Sequence, residues 1–153
     1  MLRALTARGV DFVVIGGLAA VLHGSPRNTQ DMDICFATDR VNLDALGDVL
    51  VGLGARLARV KDDVPFVPDA GTLENVEVLT LETDAGKLDV MARPAGFPGY
   101  DELRAAAERI EVEGMPFLIA GIPDLLAMKS AVGRPKDLAD IAELTAILRL
   151  RGG

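Results

Sequence analysis

Asp11-Phe12-Val13-Val14-Ile15-Gly16-Gly17, followed after thirteen residues by Asp31-Met32-Asp33-Ile34-Cys35-Phe36, decides how this chain is read. The first segment reads as a buried strand ending in a double glycine. A short Ala/Leu-rich helix, Leu18 to His23, comes next and is closed by Gly24-Ser25-Pro26. Met32 to Phe36 reads as a second strand, with Asp31 at its start. Side chains alternate across a strand, so Asp31 and Asp33 share one face while Met32 and Ile34 enter the core.

Outward from this pair, Asn42 to Leu53 has helical spacing, with Gly54 suited to its C-terminal cap. Lys61 to Gly71, with two prolines and three aspartates, reads as an exposed loop. Val76 to Thr83 alternates like a half-buried strand, Asp84-Ala85-Gly86 is a hairpin turn, and Lys87 to Met91 is the returning strand. Tyr100 to Ala107 reads as a short helix. Two short strands follow, around Ile110-Glu111-Val112 and Pro116 to Ile119, turning at Gly114. Ile122 to Val132 and Lys136 to Leu150 are two helices separated by Gly133 and Pro135. Hairpins replace regular βαβ repeats, so the expected class is α+β: a mixed β-sheet flanked by helices, with a C-terminal helical pair. One domain over residues 1–153 is expected, 1–120 forming the core and 121–153 the C-terminal helices.

Composition narrows the function. The 153 residues are 50% hydrophobic and 25% charged, ordinary for a folded domain. The longest apolar run, Phe12 to Leu22, contains two glycines and is too short to span a bilayer. No signal-peptide pattern opens the chain, and a cytoplasmic protein is expected. Cys35 is the one cysteine, which excludes a disulfide framework or a thiolate metal cluster. A single histidine, His23, leaves little room for Ser-His-Asp chemistry and reads as a helix-end residue. The net charge of -7 argues against broad non-specific binding to nucleic acid, though not against a local basic patch. Any catalysis therefore falls to carboxylates, lysines and arginines.

Asp31 and Asp33, about 7 Å apart on one strand face, repel unless a positive charge lies between them. Mg²⁺ suits that role, because it takes few protein carboxylates and completes its shell with water and substrate phosphates. Asp89 stands in the apolar strand Leu88-Asp89-Val90-Met91, where an unpaired carboxylate would be costly to bury. Beside Asp31 and Asp33 it would complete a two-metal site and help activate a hydroxyl. Gly16 and Gly17 would let a phosphate approach the backbone closely. Each piece has a plain reading too: Asp-x-Asp is common in turns, Gly-Gly is ordinary loop chemistry, and Asp89 could face outward from a hairpin.

Gly16-Gly17, Asp31-Met32-Asp33-Ile34 and the later strand residue Asp89 resemble the DNA polymerase β-like nucleotidyltransferase superfamily. The string Gly16-Gly17-Leu18-Ala19-Ala20, His23-Gly24, Arg27, Thr29, Asp31-Met32-Asp33 is similar to two branches, the abortive-infection-type nucleotidyltransferase toxins and the small lincosamide nucleotidyltransferases. The resemblance spans residues 10–92 and is weak on substrate. It implies a nucleotidyltransferase-like fold and transfer of a nucleoside monophosphate from a triphosphate to a hydroxyl, with pyrophosphate released. Asp31, Asp33 and Asp89 would hold Mg²⁺ or Mn²⁺, with Asp89 serving the incoming hydroxyl. Gly16 and Gly17 would cradle the triphosphate, and Arg27 and Thr29 would touch its phosphates. Lys129 would contact a phosphate or the base-side pocket, with Asp140 orienting a basic residue. Asp137 and Asp140 equally suit capping of a helix start.

The acceptor stays open between RNA, a small molecule and a protein. Arg134, Lys136, Arg149 and Arg151 are candidates for a local RNA patch. Little sequence follows Ile141, unlike the longer abortive-infection-type toxins, so a small acceptor, a homodimer or a partner chain are all compatible. The alternative function is a non-catalytic module of the same fold, such as the partner subunit of a toxin–antitoxin pair.

Overall fold

In the computed structural model, which describes residues 1–29, 31–58, 66–74 and 76–152, the predicted buried run forms the middle of one sheet. The elements in chain order are α1 (Leu2–Ala7), β1 (Phe12–Ile15), α2 (Gly16–Leu22), β2 (Met32–Phe36), α3 (Arg40–Gly52), β3 (Arg56–Leu57), α4 (Ala70–Glu74), β4 (Val78–Thr83), β5 (Gly86–Met91), α5 (Tyr100–Ala106), β6 (Glu108–Val112), β7 (Met115–Ile119), α6 (Ile122–Val132) and α7 (Pro135–Arg151). The strands lie in the order β3-β4-β5-β2-β1-β7-β6. β2 pairs parallel with β5 and β1 parallel with β7, while the other neighbours run antiparallel. This is the expected mixed α+β sheet, and α6 packs on α7 as the C-terminal pair.

Every side chain of β1 is buried, as are Met32, Ile34, Cys35 and Phe36 of β2. A run without alternation marks strands covered on both faces. α2 packs on β1 and β2, α5 on β1, and α1 on β7. Fully burying an aliphatic side chain of this kind contributes about 1.5–3 kcal/mol, so these central strands anchor the molecule. The turn glycines behave as expected: Gly114 has positive φ between β6 and β7, beside Glu113, which also has positive φ, and Gly133 caps α6 in the left-handed conformation.

Two expectations need correction, and two elements were not expected at all. The double glycine does not end a strand that runs to Gly17; Gly16 already begins α2, and its φ of 68° turns the chain within one residue. The loop expected over 61–71 lies partly outside the described residues, and Ala70 begins a helix, α4. The Asp69 carboxylate accepts the Thr72 N–H at 2.8 Å, an N-cap that five residues of weak apolar pattern concealed. Finally, α1 and the two-residue β3 were not anticipated. Among the described residues no helix is long and apolar enough to cross a membrane.

One buried polar side chain ties three of these elements together. Asn42, 3% exposed, accepts the Asp11 N–H at 2.6 Å and donates to Asp11 O at 3.0 Å and Ala37 O at 2.7 Å. It thereby fastens α3 to the start of β1 and the end of β2. Asn42→Ala takes this partner from the Asp11 N–H and the Ala37 carbonyl and is expected to lower stability by about 1–3 kcal/mol. Urea unfolding measures this, and a midpoint equal to that of the wild type would refute the role.

Candidate active site

Strand register sets four residues in a row across the sheet. Ile15, the last residue of β1, lies opposite Asp33 on β2; Asp33 lies beside Asp89 on β5; Asp89 lies opposite Thr80 on β4. The predicted pairing of Asp89 with the Asp31/Asp33 strand is thus a direct neighbour relation. Gly16 follows Ile15, and a Cβ there would collide with the Asp33 carboxylate. Positive φ and this close approach both demand glycine at 16. At Gly17 the demand is milder, because the Thr29 side chain stands 3.6 Å from where a Cβ would be.

The electrostatics of the row are unfavourable as it stands. Burial pushes the Asp33 carboxyl up to about 7, helped by the charge of Asp89, a hydrogen bond to Asp89 and the charge of Asp31, against an opposing pull from Lys129. Asp89 Oδ1 is buried with no hydrogen-bond partner. Two adjacent, partly desolvated carboxylates with an orphaned oxygen could take a divalent cation, and Asp31 stands one strand pitch from Asp33. Among the described residues no three His, Cys, Asp or Glu side chains form a ready-made metal cage. That is compatible with Mg²⁺, which draws much of its shell from water and phosphates.

The facing wall is basic and held by two buried aspartates of α7. Asp140 Oδ2 accepts from Arg27 Nη1 at 2.5 Å and from Lys129 Nζ at 2.9 Å. Asp137 accepts from Arg134 Nε at 2.9 Å and from the Arg134 backbone N–H at 3.0 Å, and lies 3.9 Å from Lys129 Nζ. The Arg134 hydrogen bond holds the Asp137 carboxyl below the usual range. Asp137 therefore both caps α7 and fixes a cation, while Asp140 orients two.

All eight predicted site residues (Gly16, Gly17, Arg27, Thr29, Asp31, Asp33, Asp89 and Lys129) line one cleft of about 520 Å³. Arg134 and Lys136 also line it. Arg149 and Arg151 lie elsewhere, Arg151 pairing with Glu108 at 3.3 Å, so the four basic residues do not converge. The sequence reading did not single out Val78, Thr80, Lys87 and Met91, which complete the floor. Their signal was the alternation Lys87-Asp89-Met91, which places all three on the face of Asp89. His23 is a helix-end residue whose Nε2 donates to Ala120 O at 2.7 Å, outside the cleft. Cys35 is buried in β2, its thiol pushed up to about 12.

The chain matches, over residues 2–150, the family model described as "Nucleotidyltransferase of unknown function (DUF6036)". No curated protein matches it in sequence. Among solved structures, the lincosamide antibiotic adenylyltransferase LnuA, lincomycin-bound, is 19% identical with a TM-score of 0.63, over 95% of this chain and 92% of that one. ANT(2″)-Ia, in complex with adenylyl-2″-tobramycin, is 19% identical with a TM-score of 0.57, over 96% and 84%. An antigenic nucleotidyltransferase-like protein from Paracoccidioides brasiliensis is 20% identical with a TM-score of 0.58, over 97% and 72%. These likenesses show the fold.

The raised Asp33 pKa has a consequence for stability. An aspartate in the unfolded chain titrates near 4, so between about pH 4 and 7 the folded chain holds an extra proton on Asp33. Stability from this group is therefore greatest at low pH and falls as pH rises through that window. Asp33→Asn removes the titration, so the melting temperature of the variant relative to wild type should rise from pH 5 to pH 8 without added metal. A difference that does not change with pH would contradict this account.

Proposed function

The chain belongs to this nucleotidyltransferase family, and from that premise we propose a divalent-cation-dependent enzyme that transfers a nucleoside monophosphate from a nucleoside triphosphate to a hydroxyl acceptor. The observation that carries the proposal is the Asp33–Asp89 rung, two neighbouring carboxylates with one buried oxygen unpartnered. Asp31, Asp33 and Asp89 would hold Mg²⁺ or Mn²⁺. The cation's contribution, once bound, is to neutralise phosphate oxygens and favour attack at phosphorus.

The remaining work belongs to the chain's own groups. The side-chain-free edge at Gly16 and Gly17 admits the triphosphate beside Asp33, with Thr29 next to Gly17. Arg27 and Lys129, steadied by Asp140, face its phosphates, and charge-assisted contacts of that kind position it for in-line attack. Asp89, on the far side of Asp33 from the glycines, receives the proton of the acceptor hydroxyl. The hydroxyl oxygen forms a bond to the α-phosphorus, the bond from that phosphorus to the bridging oxygen breaks, and pyrophosphate leaves. Support for a small acceptor comes from the lincomycin and adenylyl-tobramycin held by LnuA and ANT(2″)-Ia.

Thermal unfolding tests this without a guess at the acceptor. A nucleoside triphosphate with Mg²⁺ at a hundredfold over its dissociation constant stabilises by about 2.7 kcal/mol, a rise of roughly 5–11 °C for a domain of this size. The rise is expected to require Mg²⁺ or Mn²⁺ and to vanish in Asp31→Asn/Asp33→Asn. No rise with any of the four triphosphates would leave a non-catalytic module of the same fold.

A further inference from the structure

The floor of the cleft holds a cation that the catalytic reading does not use. Lys87 lies on β5 two residues before Asp89, on the same face, and lines the cleft half-buried. Its ammonium has no hydrogen-bond or ion-pair partner among the described residues, not even the carboxylate of Glu82, its exposed cross-strand neighbour on β4. The contrast with the opposite wall is direct. There Arg27, Lys129 and Arg134 are all claimed by Asp137 and Asp140. An ammonium that lines the cleft with no partner among the described residues is available to an anion.

Its position says which anion. The row Gly16–Asp33–Asp89–Thr80 runs across the sheet, so a triphosphate on the glycine side leaves β5 and β4 to the other reactant. Strand residues two apart stand about 7 Å apart, close to the span of a sugar ring and its phosphate. On the opposite flank of Asp89 the floor is aliphatic, with Met91 and Val78. Along β5 and β4, negative charge is therefore welcomed on the Lys87 flank, and a polycationic acceptor would meet a like charge there.

Resting on the nucleotidyltransferase reading, we propose that the acceptor is a sugar hydroxyl compound carrying a phosphate about one ring away, its hydroxyl at Asp89 and its phosphate on Lys87. Thr80, opposite Asp89, offers its hydroxyl to the same sugar. The phosphate can belong to the 3′ end of an RNA or to a small sugar phosphate.

Binding to the full chain decides it, with a labelled short oligoribonucleotide bearing a free 3′ hydroxyl, ribose 5-phosphate, unphosphorylated ribose and tobramycin as probes. Wild type should bind one or both phosphate probes, and Lys87→Ala should weaken that binding about tenfold, with Lys87→Arg restoring it. For the oligoribonucleotide the salt-dependence slope should fall by about one. A response confined to the oligoribonucleotide identifies RNA as the source, and one seen with ribose 5-phosphate a small molecule. Phosphate-probe binding that is insensitive to Lys87, failure of both phosphate probes, or tighter binding of ribose or tobramycin would overturn the proposal. The triphosphate-induced thermal rise, measured on the same samples, separates the two readings. If it persists in wild type and Lys87→Ala while the acceptor result fails, only the acceptor inference falls.

Discussion

Two carboxylates paired on one rung of a parallel strand pair cannot both stay charged in a low-dielectric setting without a proton or a cation between them. Asp33 and Asp89 occupy that position, and much of the surrounding structure answers to it. Met32, Ile34, Leu88 and Val90, the residues on either side of the two aspartates, are buried and fix the register. The apolar investment on one face holds the charged pair on the other. Gly16 has no side chain because the Asp33 carboxylate fills the space one would need.

The second organising element is the ion cluster of Asp137 and Asp140. It joins the segment before β2, through Arg27, to α6 and α7, through Lys129 and Arg134. Both aspartates are nearly inaccessible, at 1% and 7% exposure. Buried ion pairs of this kind return little net stability, since the desolvation cost consumes most of the attraction. What they give is geometry: three long, flexible cations are held along one wall of the cleft. The cost of arranging them is met on folding, and less ordering remains for the moment a ligand arrives.

Much of this was legible in residues with a local signature. Asp31-Met32-Asp33 gave its strand and its outward face, Gly114 and Gly133 gave their turns, and Ile122 to Val132 gave a helix with the observed ends. The elements that were missed have weak local signals. α4 is five residues long and owes its start to the Asp69 cap, β3 is two residues paired to β4, and α1 is six residues with one buried side chain. In the cleft, Asp89 could be placed beside Asp33 because an apolar strand with one carboxylate is an anomaly. Lys87 and Thr80 carried no such anomaly, since a lysine and a threonine in a half-buried strand are ordinary. Their meaning comes from strand order, which places β4 and β5 on the side of Asp33 away from Gly16. Asp137 caps its helix as the sequence suggests, and it also binds the Arg134 guanidinium, because one carboxylate has oxygens enough for a backbone N–H and a guanidinium together.

The tight hairpin joining β4 to β5 has a consequence of parity. Thr83 pairs with Gly86 around a two-residue turn, and each residue from there to Met91 faces the opposite way from the one before. A single inserted or deleted residue between Gly86 and Asp89 would invert this alternation, sending Leu88 and Val90 into water and the carboxylate into the hydrocarbon interior. Adding or removing two would keep the polarity and merely slide the strand. Unless a bulge absorbs the odd residue, length changes in this arm therefore have to come in pairs, a reading frame of two imposed on the protein by its own pleat.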